Sequence, residues 1–194
     1  TGGLAVNVVS SGADPTGVAD STTIIQAVSD SVAALGGGIV FFPKGTYKIT
    51  SALTIDTAGV SWVGAGRDIA MIKNYGTTTN ALTINLGSAI DSKLKITDLG
   101  FTCDTTSSGA AIAVTNGDRV VIERVSVALH RTGISTSAVS DAKLNKCVVE
   151  STDDRCVMRG RRKGEDDWQQ VEWDQPRAAL LAVRFCQRAG AQVI

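Results

Sequence analysis

The chain has 194 residues, 43% hydrophobic and 5% aromatic, with 19 basic and 19 acidic side chains and no formal net charge. That is enough apolar material for one buried core, and a chain without a basic field is a poor partner for nucleic acid or an acidic membrane. No apolar run approaches the ~18 residues a spanning helix needs. The sequence opens at Thr1 with neither a Met nor a signal-peptide pattern, which reads as a processed or excised piece.

Cys103, Cys147, Cys156 and Cys186 are separated by 44, 9 and 30 residues. Those spacings suit neither a zinc ribbon nor a redox CxxC, so the four read as reduced, mostly buried thiols, and no metal or cofactor is called for. Twenty glycines against three prolines, with abundant Thr, Ser and Val, predict many short strands joined by tight turns.

In chain order, the first regular element is a helix in "DSTTIIQAVSDSVAALGGG". Asp20 is placed to cap it, Ile25, Val28, Val32 and Leu35 fall at helical spacing, and Gly36 to Gly38 stop it. A single apolar stripe must cover something apolar, and at the edge of a β structure it would also shield unpaired strand groups. Next comes "GGGIVFFPKGTYKITSALTI", strand-rich and broken by Pro-Lys-Gly, with Leu53 beginning a ladder of similar strands.

That ladder emerges when the sequence is aligned with itself. Apolar strands recur near Leu53, Leu82, Ile112, Ile134 and Val157, at intervals of 29, 30, 22 and 23 residues. Strand-only repeats near 22 residues predict a parallel β-helix, whereas a β-sandwich would show hairpin turns every 8–12 residues. The stretches "ITDLGF", "IERVSV" and "LNKCVV" share one pattern: apolar, polar, polar, apolar, small or apolar, apolar. A sharp corner at the second polar residue reconciles it with period-2 strands. Ile96, Ile122 and Leu144 then stack inward, as do Leu99, Val125 and Cys147, and Phe101, Val127 and Val149. Asp98, Arg124 and Lys146 stack outward at the corner, acid beside base.

The opening 6–66, with "GADPTGVADST", the amphipathic helix, "GGGIVFFPKGTY" and "VSWVGAG", resembles the pectate-lyase-like β-helix superfamily, which includes bacteriophage tailspikes that depolymerise polysaccharides. The resemblance implies an all-β fold, a right-handed parallel β-helix with an N-terminal capping α-helix. Residues 1–160 form that β-helix and its cap; 161–194 form an atypical segment, an extra coil or a capping or oligomerisation element. For tailspikes it further implies a homotrimer on a virion tail, or otherwise extracellular, that binds a bacterial surface polysaccharide and cleaves it as a glycoside hydrolase or lyase. The alternatives are a stand-alone pectate-lyase- or polygalacturonase-like enzyme on a uronic-acid polymer, and a non-catalytic structural or adhesive β-helix.

Candidate site residues follow from chemistry and from that resemblance. "VGAG" at 63–66 has no helix after it, so it reads as a coil corner rather than a dinucleotide fingerprint. Asp14 and Asp20 read as turn and cap residues. Asp153 and Asp154, in "ESTDDRC", resemble the Asp pair of polygalacturonases. Arg155 intervenes before Cys156, however, and the Asp expected one coil earlier is Thr132. Glycoside hydrolysis needs two carboxylates flanking one bond, and neighbours on a strand face opposite ways, so Glu150 is the natural third candidate. His130, expected at the surface, and Arg131 offer a base and a cation for a uronate. Trp168 and Trp173 offer sugar-stacking faces, or else plug an end or interface.

Overall fold

The computed structural model describes residues 4–76, 78–87, 92–104, 107–137, 139, 142–150, 156–160 and 169–173; for 107–108, 150, 156–160 and 169–173 it describes the backbone alone. Helix α1 (Thr22–Ala34) forms where the apolar spacing places it and buries Ile25, Val28 and Val32. Ser21 occupies the N-cap position without a side-chain cap bond. Asp20, one residue earlier, ties down the first turn: its Oδ1 accepts from the Thr22 amide and hydroxyl, and its Oδ2 from Thr50 Oγ1. At the other end Gly37 N–H donates to Val32 O and Gly36 N–H to Ala33 O, with φ of 107° and 85°. This is the six-to-one closure that glycine allows. Leu35, expected in the buried stripe, is 70% exposed because the helix ends before it.

Three six-stranded sheets follow. Sheet A holds β1 (Leu4–Asn7), β3 (Gly38–Phe42), β6 (Val60–Gly64), β9 (Lys95–Thr97), β12 (Val120–Glu123) and β15 (Ala142–Asn145). Sheet B holds β2 (Thr16–Asp20), β4 (Gly45–Ile49), β7 (Ala70–Asn74), β10 (Gly100–Cys103), β13 (Ser126–Ala128) and β16 (Val148–Glu150). Sheet C holds β5 (Leu53–Ile55), β8 (Leu82–Asn85), β11 (Ser107–Asn116), β14 (His130–Thr136), β17 (Cys156–Gly160) and β18 (Gln169–Trp173). The chain visits A, B and C in turn, so each coil adds one strand to each sheet: a right-handed parallel β-helix of about five turns. Among the described residues only β18 breaks the pattern, pairing antiparallel with β17.

Register bears out the self-alignment. Ile96, Ile122 and Leu144 pair in sequence, and Phe101, Val127 and Val149 likewise. Leu53, Leu82, Ile112 and Ile134 form one column; in the last coil Ser135 faces Arg159, so Met158 rather than Val157 continues it. Asp98, Arg124 and Lys146 have φ of 56°, 50° and 52°, the left-handed corner that the doubled polar residue required. Arg124 forks onto both Asp98 oxygens at 2.6 Å and also reaches Glu123, which Lys95 holds at 2.8 Å. That guanidinium is the leading cause holding the Asp98 carboxyl below its usual range.

The stretch around Pro43 and Lys44 is no hairpin. It is the corner between β3 and β4, strands of two different sheets, and Tyr47 Oη donates back to Pro43 O at 2.8 Å. Gly64 in "VGAG" is likewise a coil position, where a Cβ would lie 2.1 Å from Asp98 O. Inside, Phe42, Tyr47 and Trp62 fill the first coils, with Phe42 centred 5.7 Å from Tyr47 and 5.1 Å from Trp62. Trp62 Nε1 donates to Ser29 Oγ at 3.3 Å, joining α1 to the core. Later coils are filled by Ile, Leu and Val, with Phe101 among them.

Candidate polysaccharide-binding face

Helix α1 stands where sheet C lacks a first strand, and Gln26 completes the edge. Its Oε1 accepts from Thr54 N–H at 2.9 Å and its Nε2 donates to Thr54 O at 3.1 Å, the pair of bonds a neighbouring strand would make. Beside it a cleft of about 570 Å³ is lined by Gln26, Asp30, Thr54 and Asp56 among others. From that cleft the outer face of sheet C runs on through Thr54, Thr83, Ala113 and Ser135, which are in register, to the backbone position of Arg159. All four side chains are short, and each alternates with core residues Leu53, Leu82, Ile112 and Ile134, which sets it on the outer face, Ala113 being itself buried there. Three steps of ~4.8 Å make the row from Thr54 to Ser135, a shelf, about 14 Å long, with no bulky side chain along it.

The corners joining sheet B to sheet C border this shelf, and Arg131 and the backbone of Glu150 lie there. Arg131 is the second residue of β14 and is exposed. Glu150 ends β16, with its backbone opposite Ala128 of the preceding coil. Asp153 and Asp154 come between β16 and β17 in sequence and, like Trp168, lie outside the described residues. Trp173 is described by backbone, opposite Cys156 at the start of β17.

His130 contradicts the expected surface position: it is 1% exposed. The corner before it is the single residue Leu129, at φ 65°, so β14 begins at His130 with its ring turned into the coil. Neither ring nitrogen finds a hydrogen-bond partner among the described residues. Desolvation pushes the ring below the usual histidine range, opposed by the nearby backbone of Gly109 and Thr102. A ring so enclosed does not reach an external sugar, so the proposed base is withdrawn.

A group that the sequence reading missed sits on the outside of sheet B next to the same corner. Lys48 and Lys73 are neighbours in register, and their Nζ atoms lie 4.8 and 4.9 Å from the centre of the Tyr75 ring. Asp104 holds Lys73 at 2.7 Å, the leading cause of that ammonium's raised pKa. The signal was present: in the coil alignment "YKI" at 47–49 superimposes on "IKN" at 72–74. Of the thiols, Cys103 donates to Leu129 O at 2.9 Å, and burial pushes the Cys147 thiol up. Among the described residues no helix is long and apolar enough to cross a membrane.

Five stacked coils and a helix over the first edge of sheet C define a right-handed parallel β-helix of the pectate-lyase-like class. The family model described as rhamnogalacturonase A/epimerase, pectate lyase-like, matches residues 5–157, and the chain belongs to that polysaccharide-acting family. Mannuronan C5-epimerase AlgE1 of Azotobacter vinelandii is 38% identical over 90 residues, which are 43% of this chain and 6% of that protein. The A-module of mannuronan C-5 epimerase AlgE4 from the same organism superposes with a TM-score of 0.66 at 25% identity, covering 75% of this chain and 44% of that one. ORF18 of Geobacillus virus E2 shares the fold with a TM-score of 0.54 at 23% identity, over 76% of this chain and 37% of that one. The chain therefore spans less than half of each of these relatives.

Proposed function

We propose that this chain binds an extended polysaccharide along the outer face of sheet C. The observation that carries the proposal is the in-register row of short side chains Thr54, Thr83, Ala113 and Ser135, in which Ala113 is buried, bordered by polar corner residues. The hydroxyls of Thr54, Thr83 and Ser135 suit a polyhydroxylated ligand, and Arg131 supplies a cation at the border. Membership in a polysaccharide-acting family and the likeness to mannuronan epimerases support this reading. Asp153, Asp154 and Glu150 are the proposed acid–base groups, and Trp168 and Trp173 the proposed stacking faces. The reactions to be tested are hydrolysis, elimination and C5 epimerisation.

The test is incubation with a panel of capsular, lipopolysaccharide and uronic-acid polymers, with products followed by mass spectrometry and NMR. Thr83→Tyr and Ser135→Tyr, which raise obstacles on the shelf, are expected to weaken binding at least tenfold while leaving the melting temperature near that of the parent. Unchanged binding in both variants would remove sheet C as the binding face. Asp153→Asn and Asp154→Asn are expected to abolish any turnover and to spare binding.

A second reading is favoured by the resemblance of the opening 6–66 to tailspikes. In it the chain is part of a trimeric, virion-borne or extracellular receptor-binding protein for bacterial surface polysaccharide, with 161–194 serving to end or to trimerise the β-helix. Light scattering separates the readings: a trimer supports the second, a monomer rejects it.

A further inference from the structure

The shelf on sheet C does not account for the group on sheet B. From the register and the ring contacts, we infer that Lys48, Lys73 and Tyr75 form a subsite for an acidic group, a carboxylate or a sulfate, on the polysaccharide. This inference rests on the proposed binding of polysaccharide and names the class of polymer bound.

Like charges directly opposite on neighbouring strands repel, so Lys48 beside Lys73 is unfavourable unless something compensates it. Part of the compensation is built in. Both ammonium groups lie within 5 Å of the Tyr75 ring centre, and Lys73 is paired with Asp104. Lys48 has no ion pair within 4 Å among the described residues. Asp20, in register beside Lys48, offsets part of its charge at a distance, but both its oxygens accept from Thr22 and Thr50 at the helix start rather than from Lys48. Both ammonium groups sit at the Tyr75 ring, but only Lys73 is directly ion-paired, so Lys48 is left able to take a second anion. An acidic group there would accept from Lys48 and share Lys73 with Asp104, in charge-assisted hydrogen bonds stronger than those to a neutral sugar. The Tyr75 ring holds the two cations in place, so the site costs little further ordering on binding.

The position supports the assignment. Tyr75 and Asp104 follow directly on β7 and β10, in the connections that lead from sheet B to the shelf strands β8 and β11. A chain lying on sheet C therefore passes this corner, and a substituent directed over the border meets Lys48 and Lys73.

The experiment measures binding of the 194-residue chain by isothermal titration at low and moderate salt. The probes are a polyuronate, a sulfated glucan and an uncharged glucan, compared across parent, Lys48→Glu, Lys48→Arg and Tyr75→Leu. The expected result is that the parent prefers an acidic polymer. Lys48→Glu should weaken that binding about tenfold or more and Lys48→Arg should retain most of it, with melting temperatures that show all four proteins folded. Binding of the polyuronate alone assigns the group as a carboxylate, and binding of both acidic polymers as any acidic group. Equal binding of acidic and uncharged polymers, or acidic binding unchanged in Lys48→Glu, overturns the subsite while leaving the shelf intact. Absence of binding to every polymer overturns the shelf as well.

Discussion

The left-handed corner allows a prediction whose sign depends on one side chain. Lys146 joins β15 to β16 at φ 52°. That conformation costs a residue bearing a Cβ roughly 1–2 kcal/mol, and glycine escapes the cost. The greater freedom of glycine in the unfolded chain returns roughly 0.4–1 kcal/mol of the gain. The contact made at this residue is through the main chain, Arg67 Nη1 donating to Lys146 O at 3.1 Å, and it survives loss of the side chain. Lys146→Gly should therefore stabilise the protein by about 0.5–1 kcal/mol, raising Tm by about 1–4 °C for a chain of this size. Arg124→Gly relieves the same strain at φ 50° but removes the fork onto Asp98 and the contact with Glu123, leaving two carboxylates facing each other. It should lower Tm. Scanning calorimetry of the parent and both variants in one buffer at pH 7 decides the matter. A Tm for Lys146→Gly equal to or below the parent's, or a rise in both variants, would refute the reasoning.

Three further outcomes follow from particular contacts. Gln26→Ala removes both hydrogen bonds that close the edge of β5; a loss of about 1 kcal/mol, or 2–4 °C in Tm, is expected, with concentration-dependent association in light scattering. His130→Leu should leave polysaccharide binding unchanged and make stability less sensitive to acid. The folded histidine titrates below its unfolded value, so its contribution is complete above about pH 6.5 and is lost as pH falls through the folded value. Melts at pH 7 and pH 5 should therefore differ less in the variant than in the parent. Asp14 accepts from Thr16, Val18 and Ala19, and these bonds hold it at about 2 against an ordinary 3.8. Its contribution is present above the unfolded value and lost as pH falls towards 2; Asp14→Asn should lower Tm at pH 7 and flatten the acid limb of the stability curve.

What the sequence by itself determined was the repeat and its corners. The period of the apolar strands, the doubled polar residue before Leu99, Val125 and Cys147, and the glycine stop after α1 are local chemistry, and local chemistry is legible. Stacking in register turns each such local choice into a column, so the architecture could be read from like positions. Tertiary structure alone decided what faces outward together. Lys48 and Lys73 are 25 positions apart, and only the register of β4 with β7 makes them neighbours over Tyr75. His130 reads as a surface residue at a strand's end, yet a corner one residue long at Leu129 turns it inward. Gln26 looks like any polar helix position until sheet C is seen to lack a first strand. The physical reason is common to all three. Strand alternation fixes a side chain's face only relative to its own strand, whereas corner length, and which strand lies next to it, set that face against the rest of the molecule.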